Sequence, residues 1–137
     1  MKKMPEGELV RVGYSRHTTA ATAEFEGRIG KDVNGAFVLQ AMKESHGPLY
    51  EKRVDAEVMQ QIREIIREER MYRYKEHYLP KLHVLDGWQW SFSATFSDGT
   101  TISSSGSNAR PHDDGLDRIR TLMEELIQDS STPVVDP

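Results

Sequence analysis

Trp88-Gln89-Trp90-Ser91-Phe92-Ser93-Ala94-Thr95-Phe96-Ser97-Asp98-Gly99-Thr100-Thr101-Ile102 is the stretch that decides the fold. Trp88, Trp90, Phe92, Ala94 and Phe96 alternate with Gln89, Ser91, Ser93, Thr95 and Ser97, a period of two that marks a strand with one apolar and one hydroxylated face. Asp98-Gly99 then turns the chain. A two-residue loop at that pair would put Ile102 opposite Thr95, on the polar face, and leave Phe96 facing Thr101. A three-residue loop of Ser97, Asp98 and Gly99, with Gly99 left-handed in a bulge, sets Ala94 against Ile102 and Phe96 against Thr100. It also places Gly106 opposite Trp90, where the absent side chain leaves room for the indole. This second register is the expectation. Its outer face carries Gln89, Ser91, Ser93 and Thr95 beside Thr101, Ser103, Ser105 and Ser107.

Working outward, Leu9 to Tyr14 reads as a strand with Val10, Val12 and Tyr14 on one face, followed by a polar loop at Arg16 to Thr19. In a second strand Ala21, Ala23, Phe25 and Ile29 alternate with Thr22, Glu24, Glu26 and Arg28. Asn34-Gly35 marks a hairpin, because both residues tolerate positive φ, and Ala36 to Met42 follows with Phe37, Leu39 and Ala41 on one face. His46-Gly47-Pro48 predicts the next turn and Leu49 to Val54 a short fourth strand. Asp55 is an N-cap for a helix whose Val58, Met59, Ile62, Ile65 and Ile66 share one stripe. That helix is predicted to run to about Arg73, with Glu69 and Arg73 forming a pair worth about 0.3 kcal/mol. Pro80 and Asp86-Gly87 bracket an irregular connection. Beyond the Trp-rich hairpin, Asn108 to Asp114 reads as a loop, and Leu116, Ile119, Leu122, Met123, Leu126 and Ile127 mark a second amphipathic helix.

One greasy sheet face and two greasy helix stripes fit most economically as a two-layer α+β sandwich. The expected architecture is an antiparallel sheet with both helices on one face, in the order βββ(β)α-ββα. Residues 8–128 form the single domain of that reading. Residues 1–7 and 129–137 are expected to be loose ends.

The chain has 137 residues, no cysteine, and 22 acidic against 18 basic residues for a net charge of −4. That length builds a core without staples. Without cysteine there are no disulfides, thiol nucleophiles or thiolate metal sites, which fits a reducing compartment and a cytoplasmic location. The mild acidity argues against a nucleic-acid surface. Lys2 and Lys3 precede no long apolar run, so neither a signal peptide nor a membrane span is expected.

The hydroxylated sheet face is the leading candidate surface, with Ser91, Ser93, Thr101 and Ser103 able to bond a small polar ligand or a protein partner. None of its serines has a His or Lys neighbour in the sequence that would mark a nucleophile, and the nucleophile-elbow setting is missing. Asn108, Arg110, His112, Asp113 and Asp114 form a second candidate, a polar loop at a helix start where an anion can bind. Its residues also have plain roles as turn, cap and helix stop. His17, His46, His77, His83 and His112 show no metal-ligand spacing, so no metal or cofactor is expected. Arg70 to Lys75 interleaves bases with aromatics, yet Glu68, Glu69 and Glu76 flank it. A cation-favouring helix end with tyrosines at the sheet margin explains it more simply than single-strand binding.

Asp86-Gly87-x-Trp-x-Trp-x-Phe, Asp98-Gly99, Ile102 and Ser105-Gly106-Ser107-Asn108-x-x-Pro111, followed by the Leu116/Ile119 helix, resemble a recurrent module of uncharacterised bacterial proteins known as domains of unknown function. The resemblance covers about the last third of the chain. It implies a bacterial source and a strand-strand-helix ending, and carries no activity. The sequence thus suggests a binding or regulatory module without catalysis, working through the Ser/Thr face or a sheet edge. The alternatives are an enzyme or small-anion binder using Asn108 to Asp114, and an inhibitor-type protein whose acidity suits a basic partner.

Overall fold

The computed structural model describes residues 2–18, 23–44, 47–79, 87–128 and 133–135. Its strands are β1 (Leu9–Thr18), β2 (Ala23–Lys31), β3 (Phe37–Met42), β4 (Leu49–Val54), β5 (His77–Tyr78), β6 (Trp88–Phe96), β7 (Thr101–Ser107) and β8 (Pro133–Val135). Helix α1 (Ala56–Glu68) follows β4, and α2 (Gly115–Gln128) follows β7. All eight strands join one sheet in the order β5-β7-β6-β1-β2-β3-β4-β8. Both helices pack on the same face of it, so the two-layer α+β sandwich stands.

The hairpin register matches the sequence expectation pair by pair. Ala94 lies opposite Ile102 and Trp90 opposite Gly106. Phe96 N–H donates to Thr100 O at 2.9 Å, and Gly99 takes φ 89° in the turn. Trp90 Nε1 donates to Ala109 O at 2.7 Å, which ties the indole to the chain beyond β7. Trp90, Phe92, Ala94, Phe96 and Ile102 are buried, and meet Val58, Met59, Ile62, Ile65 and Ile66 of α1 and Leu116, Ile119, Met123 and Ile127 of α2 in one core. Gly27 of β2 lets α2 come close, since a Cβ there would sit 2.6 Å from Met123 Sδ.

Several local expectations are corrected. The loop read at Arg16 to Thr19 is strand as far as Thr18, because Arg16, His17 and Thr18 pair with Trp90, Gln89 and Trp88. Cross-strand bonds from Arg16 to Glu24 (2.8 Å) and from His17 to Glu26 (2.7 Å) accommodate their polarity. Leu9, Val12 and Tyr14 face the core while Val10 does not, because the register with β6 shifts between Leu9 and Arg11 and Val10 is the extra residue. Helix α1 stops at Glu68 rather than near Arg73. Continuing it would carry Met71 and Tyr74 off the apolar stripe; Arg70 instead turns left-handed (φ 54°), and a 3-10 turn buries both. The predicted Glu69 to Arg73 pair is replaced, since Glu69 accepts from Arg118 of α2 at 3.1 Å.

Two short strands were not anticipated. β5 runs parallel to β7 and makes the sheet mixed, and β8 pairs with β4 inside the tail expected to be loose. The first residues are also held. Arg63 donates to Pro5 O and Gly7 O, both at 2.9 Å, Lys2 donates to Tyr74 O, and Pro5 is buried. The expected turn at His46, the connection at 80–86, and Thr19, Ala21 and Thr22 lie outside the described residues.

Two outcomes follow from the turns and the hairpin. In Gly106→Ala the new methyl overlaps Trp90 Nε1 and the fixed Ala109 carbonyl, so stability falls by about 1–3 kcal/mol in urea denaturation; an unchanged midpoint contradicts this packing. Asp32 and Asp98 are both held below their ordinary value of 3.8, chiefly by the backbone N–H groups of Ala36 and Thr100 respectively. Their contribution is complete above that value and is lost as pH falls through the lowered folded one. The Asp32→Asn, Asp98→Asn double variant therefore loses less stability than the parent below about pH 4.

Candidate functional site

The face of the sheet away from the helices is built by the alternate residues of six strands. Thr101, Ser103, Ser105 and Ser107 of β7 stand beside Thr95, Ser93, Ser91 and Gln89 of β6. These continue across β1 as Arg11, Gly13, Ser15 and His17. Gly13 then faces Arg28 on β2, Arg28 faces Gln40 on β3, and Gln40 faces Glu51 on β4. Ser91, Ser93, Thr101 and Ser103 are all exposed there, on neighbouring strands as the alternation required. Ser15 Oγ and Ser91 Oγ bond at 2.7 Å.

The centre of this face is concave, a trough of about 1130 Å³ reaching from Ser91 and Ser93 to β4. Its shape comes from Gly13 and Gly30. A Cβ on Gly13 would meet nothing closer than 3.6 Å, and one on Gly30 nothing closer than Arg11 Nε at 3.9 Å. Neither has a positive φ. Packing and backbone therefore leave both positions open to a side chain, whereas Gly27 and Gly106 on the inner face are forced by sterics.

These glycines belong to a repeated tripeptide, Arg11-Val12-Gly13 and Arg28-Ile29-Gly30. Because β1 and β2 are antiparallel and Val12 faces Ile29, Arg28 lies opposite Gly13 and Arg11 lies beside Gly30. The two arginines are thus related by a local twofold, each beside a bare stretch of backbone. Arg28 Nε donates to Gln40 Oε1 at 3.0 Å, and Gln40 Nε2 to Glu51 Oε2 at 2.9 Å, a relay that ties the Nε side of an exposed Arg28 to β3 and β4. Arg11 is exposed and has no ion-pair partner among the described residues. The sequence reading missed both arginines. The tripeptide repeat was the available signal, but it means nothing until the two copies are known to be neighbours.

The loop candidate is engaged internally. Asn108, left-handed at φ 55°, accepts Trp88 N–H on its side-chain oxygen at 3.0 Å. Arg110 donates to Asp117 at 3.1 Å and to Asp113 O at 3.3 Å. Asp113 Oδ1 accepts both Tyr74 Oη at 2.7 Å and Gly115 N–H at 2.8 Å. Asp114 N–H donates to Glu69 at 3.3 Å. The helix-start donors Asp114 N–H and Gly115 N–H therefore already face the chain's own carboxylates. Burial first, then the Asp113 carboxylate, pushes the Tyr74 phenol well above its usual range. His112 is exposed beside this closed network.

No protein-family model matches the chain, and no curated protein matches it.

One contact departs from the sequence reading of the serines. His77 Nδ1 lies 3.1 Å from Ser105 Oγ, a pairing invisible at a separation of 28 residues. Ser105 N–H already donates to Glu76 O at 2.9 Å, and Gly106 lies in the ladder with Trp90, so neither backbone donor beside the hydroxyl is free for an oxyanion. A cleft of about 640 Å³ between α1 and α2 is floored by Ile65 and Leu122. Three of its carboxylates are taken: Glu64 by Arg67, Glu68 by Arg118 and Asp117 by Arg110. Among the described residues no three His, Asp or Glu side chains gather to hold a metal, and no helix is long and apolar enough to cross a membrane.

A glycine inside a strand is less stable than alanine there by about 0.5–1 kcal/mol when sterics permit the methyl group. Gly13→Ala and Gly30→Ala are each expected to raise the urea midpoint accordingly. A fall at either position would mean that the fold, rather than the surface, requires the glycine.

Proposed function

We propose that the protein is a cytoplasmic bacterial binding or regulatory module that receives a polar partner on the outer face of its sheet, without catalysis of its own. The concave centre at Gly13 and Gly30 is the observation that carries this reading. Two strand glycines that packing does not need, flanked by exposed hydroxyls and by arginines with no ion-pair partner among the described residues, make a surface suited to close approach. Hydroxyl contacts from Ser91, Ser93, Thr101 and Ser103 require little side-chain ordering. The absence of cysteine supports the reducing compartment.

A sheet edge supports a second mode of contact. The Phe96 to Thr100 bond fixes the ladder phase, so Thr101 and Ser103 direct their backbone N–H and C=O groups away from β6. Among the described residues β5 pairs with β7 only at Ser105 and Gly106, and β7 carries no charge and no proline to discourage pairing. An extended partner segment fits that edge by strand addition. Ser103→Ala removes the outer-face hydroxyl alone, whereas Ser103→Pro also removes an outward backbone donor without touching the β6 ladder, so a loss of binding confined to the proline variant marks the second mode.

Amide chemical-shift mapping of the full chain against a panel of small polar solutes and short peptides tests the surface. Saturable shifts are expected at Ser91, Ser93, Thr101 and Ser103. Shifts confined to the α1/α2 cleft or to Asn108 through Asp114 would sink the assignment.

A further inference from the structure

The class of ligand is encoded by the paired arginines, an inference that rests on the outer-face reading above. We propose that the trough binds a compact phosphate monoester of a polyol, with the phosphate between Arg11 and Arg28 and the ligand's hydroxyls over Ser15, Ser91 and Ser93.

The cross-strand neighbours of the two arginines carry no charge. Arg11 faces Thr95 on β6 and adjoins Gly30, and Arg28 faces Gly13 and Gln40. Diagonal positions on adjacent strands lie about 7 Å apart, within the span that two flexible guanidiniums can close around one anion. The bare backbone at Gly13 and Gly30 removes the side chains that would otherwise fill the space between them.

The local twofold discriminates among oxyanions. A carboxylate has two oxygens and is satisfied by a single guanidinium fork. A phosphate monoester presents three terminal oxygens, so two forks approaching from opposite sides of the Val12 to Ile29 pair can both find acceptors. The same layout argues against a polyanion. Beyond the central pair, Glu26 and Glu51 line the trough and its Arg53 is paired with Asp32 at 3.9 Å, and the chain's net charge is −4, so a run of phosphates gains little from the rest of the lining. Ser93 stands across from Gly13, and Ser15 is bonded to Ser91 in the next row, which places hydroxyls where a polyol attached to the phosphate would lie.

The test titrates the full chain with glycerol 3-phosphate, inorganic phosphate, acetate and glycerol, following the amides of Gly13, Gly30 and Ser93. Glycerol 3-phosphate is expected to give saturable shifts at millimolar concentrations, weakened by added sodium chloride. Arg11→Gln and Arg28→Gln each should lower its affinity about tenfold or more, because each removes a charge-assisted fork. Both side chains are exposed, and unchanged spectral dispersion of the free variants verifies that they fold. Arg28→Lys should recover only part of the loss. No saturable shift at the three amides, or equal affinity in the glutamine variants, overturns the proposal. If acetate or glycerol saturates Ser91, Ser93, Thr101 and Ser103 while the glutamine variants respond like the parent, the phosphate assignment falls and the outer-face function survives.

Discussion

Trp90 lying across Gly106 is the contact on which the arrangement of this sheet depends. Its indole fills the space left by the glycine and donates to Ala109 O, so the last residues of β7 and the start of the following loop are fixed together. From that point the register runs back through Ala94 and Ile102 to the turn at Gly99. A shift of one residue would turn Phe92, Ala94 and Phe96 to the outer face and carry the serines inward. Because β1 pairs along the other edge of β6, the same register also decides which residues of β1 and β2 face outward. The hydroxyl rows and the Arg-Gly pairs are thus consequences of one aromatic packing contact.

The inner layer is closed by a chain reversal. Arg70 in the left-handed region ends α1 and sends Met71 and Tyr74 into the core, where Tyr74 meets Tyr78, Trp90 and Phe92 with ring centroids 6.1–6.4 Å apart. Its hydroxyl then reaches Asp113 at the start of α2. The connection joins the two helices, the hairpin and the edge strand β5 through a single side chain. Ser104, which sits on the inner face, donates to Lys75 O and secures the same crossing. The polar loop before α2 is therefore part of the fold's closure, and its carboxylates serve as internal acceptors.

Legibility in the sequence followed the range of the interactions involved. The hairpin, the Asp55 cap, the stripe of α1 and the bounds of β4 depend on residues close in the chain, and all could be read from spacing. The extension of β1 through Arg16 and His17 could not, because those polar residues are made strand by partners on β6 and β2. The end of α1 was misplaced for a related reason. Helical propensity continues past Glu68, and only the burial of Met71 and Tyr74 opposes it. β5 and β8 are too short to show a period and exist through pairing alone. At the candidate surface, Ser91, Ser93, Thr101 and Ser103 were legible from alternation, whereas Arg11 and Arg28 looked like isolated surface charges.

The sequence by itself determined the two faces of the sheet and the two apolar helix stripes, because side-chain direction in a strand or helix is set by the local backbone period. Only the tertiary structure decided what those faces bring together. It set Arg11-Val12-Gly13 against Arg28-Ile29-Gly30, joined His77 to Ser105, and closed Asn108, Arg110 and Asp113 into internal bonds. The physical reason is that neighbours across a sheet are chosen by strand order and register, which depend on burying every apolar face at once. The floor of the outer-face trough was left bare only when two glycines with no role in packing were placed diagonally across the β1–β2 pair.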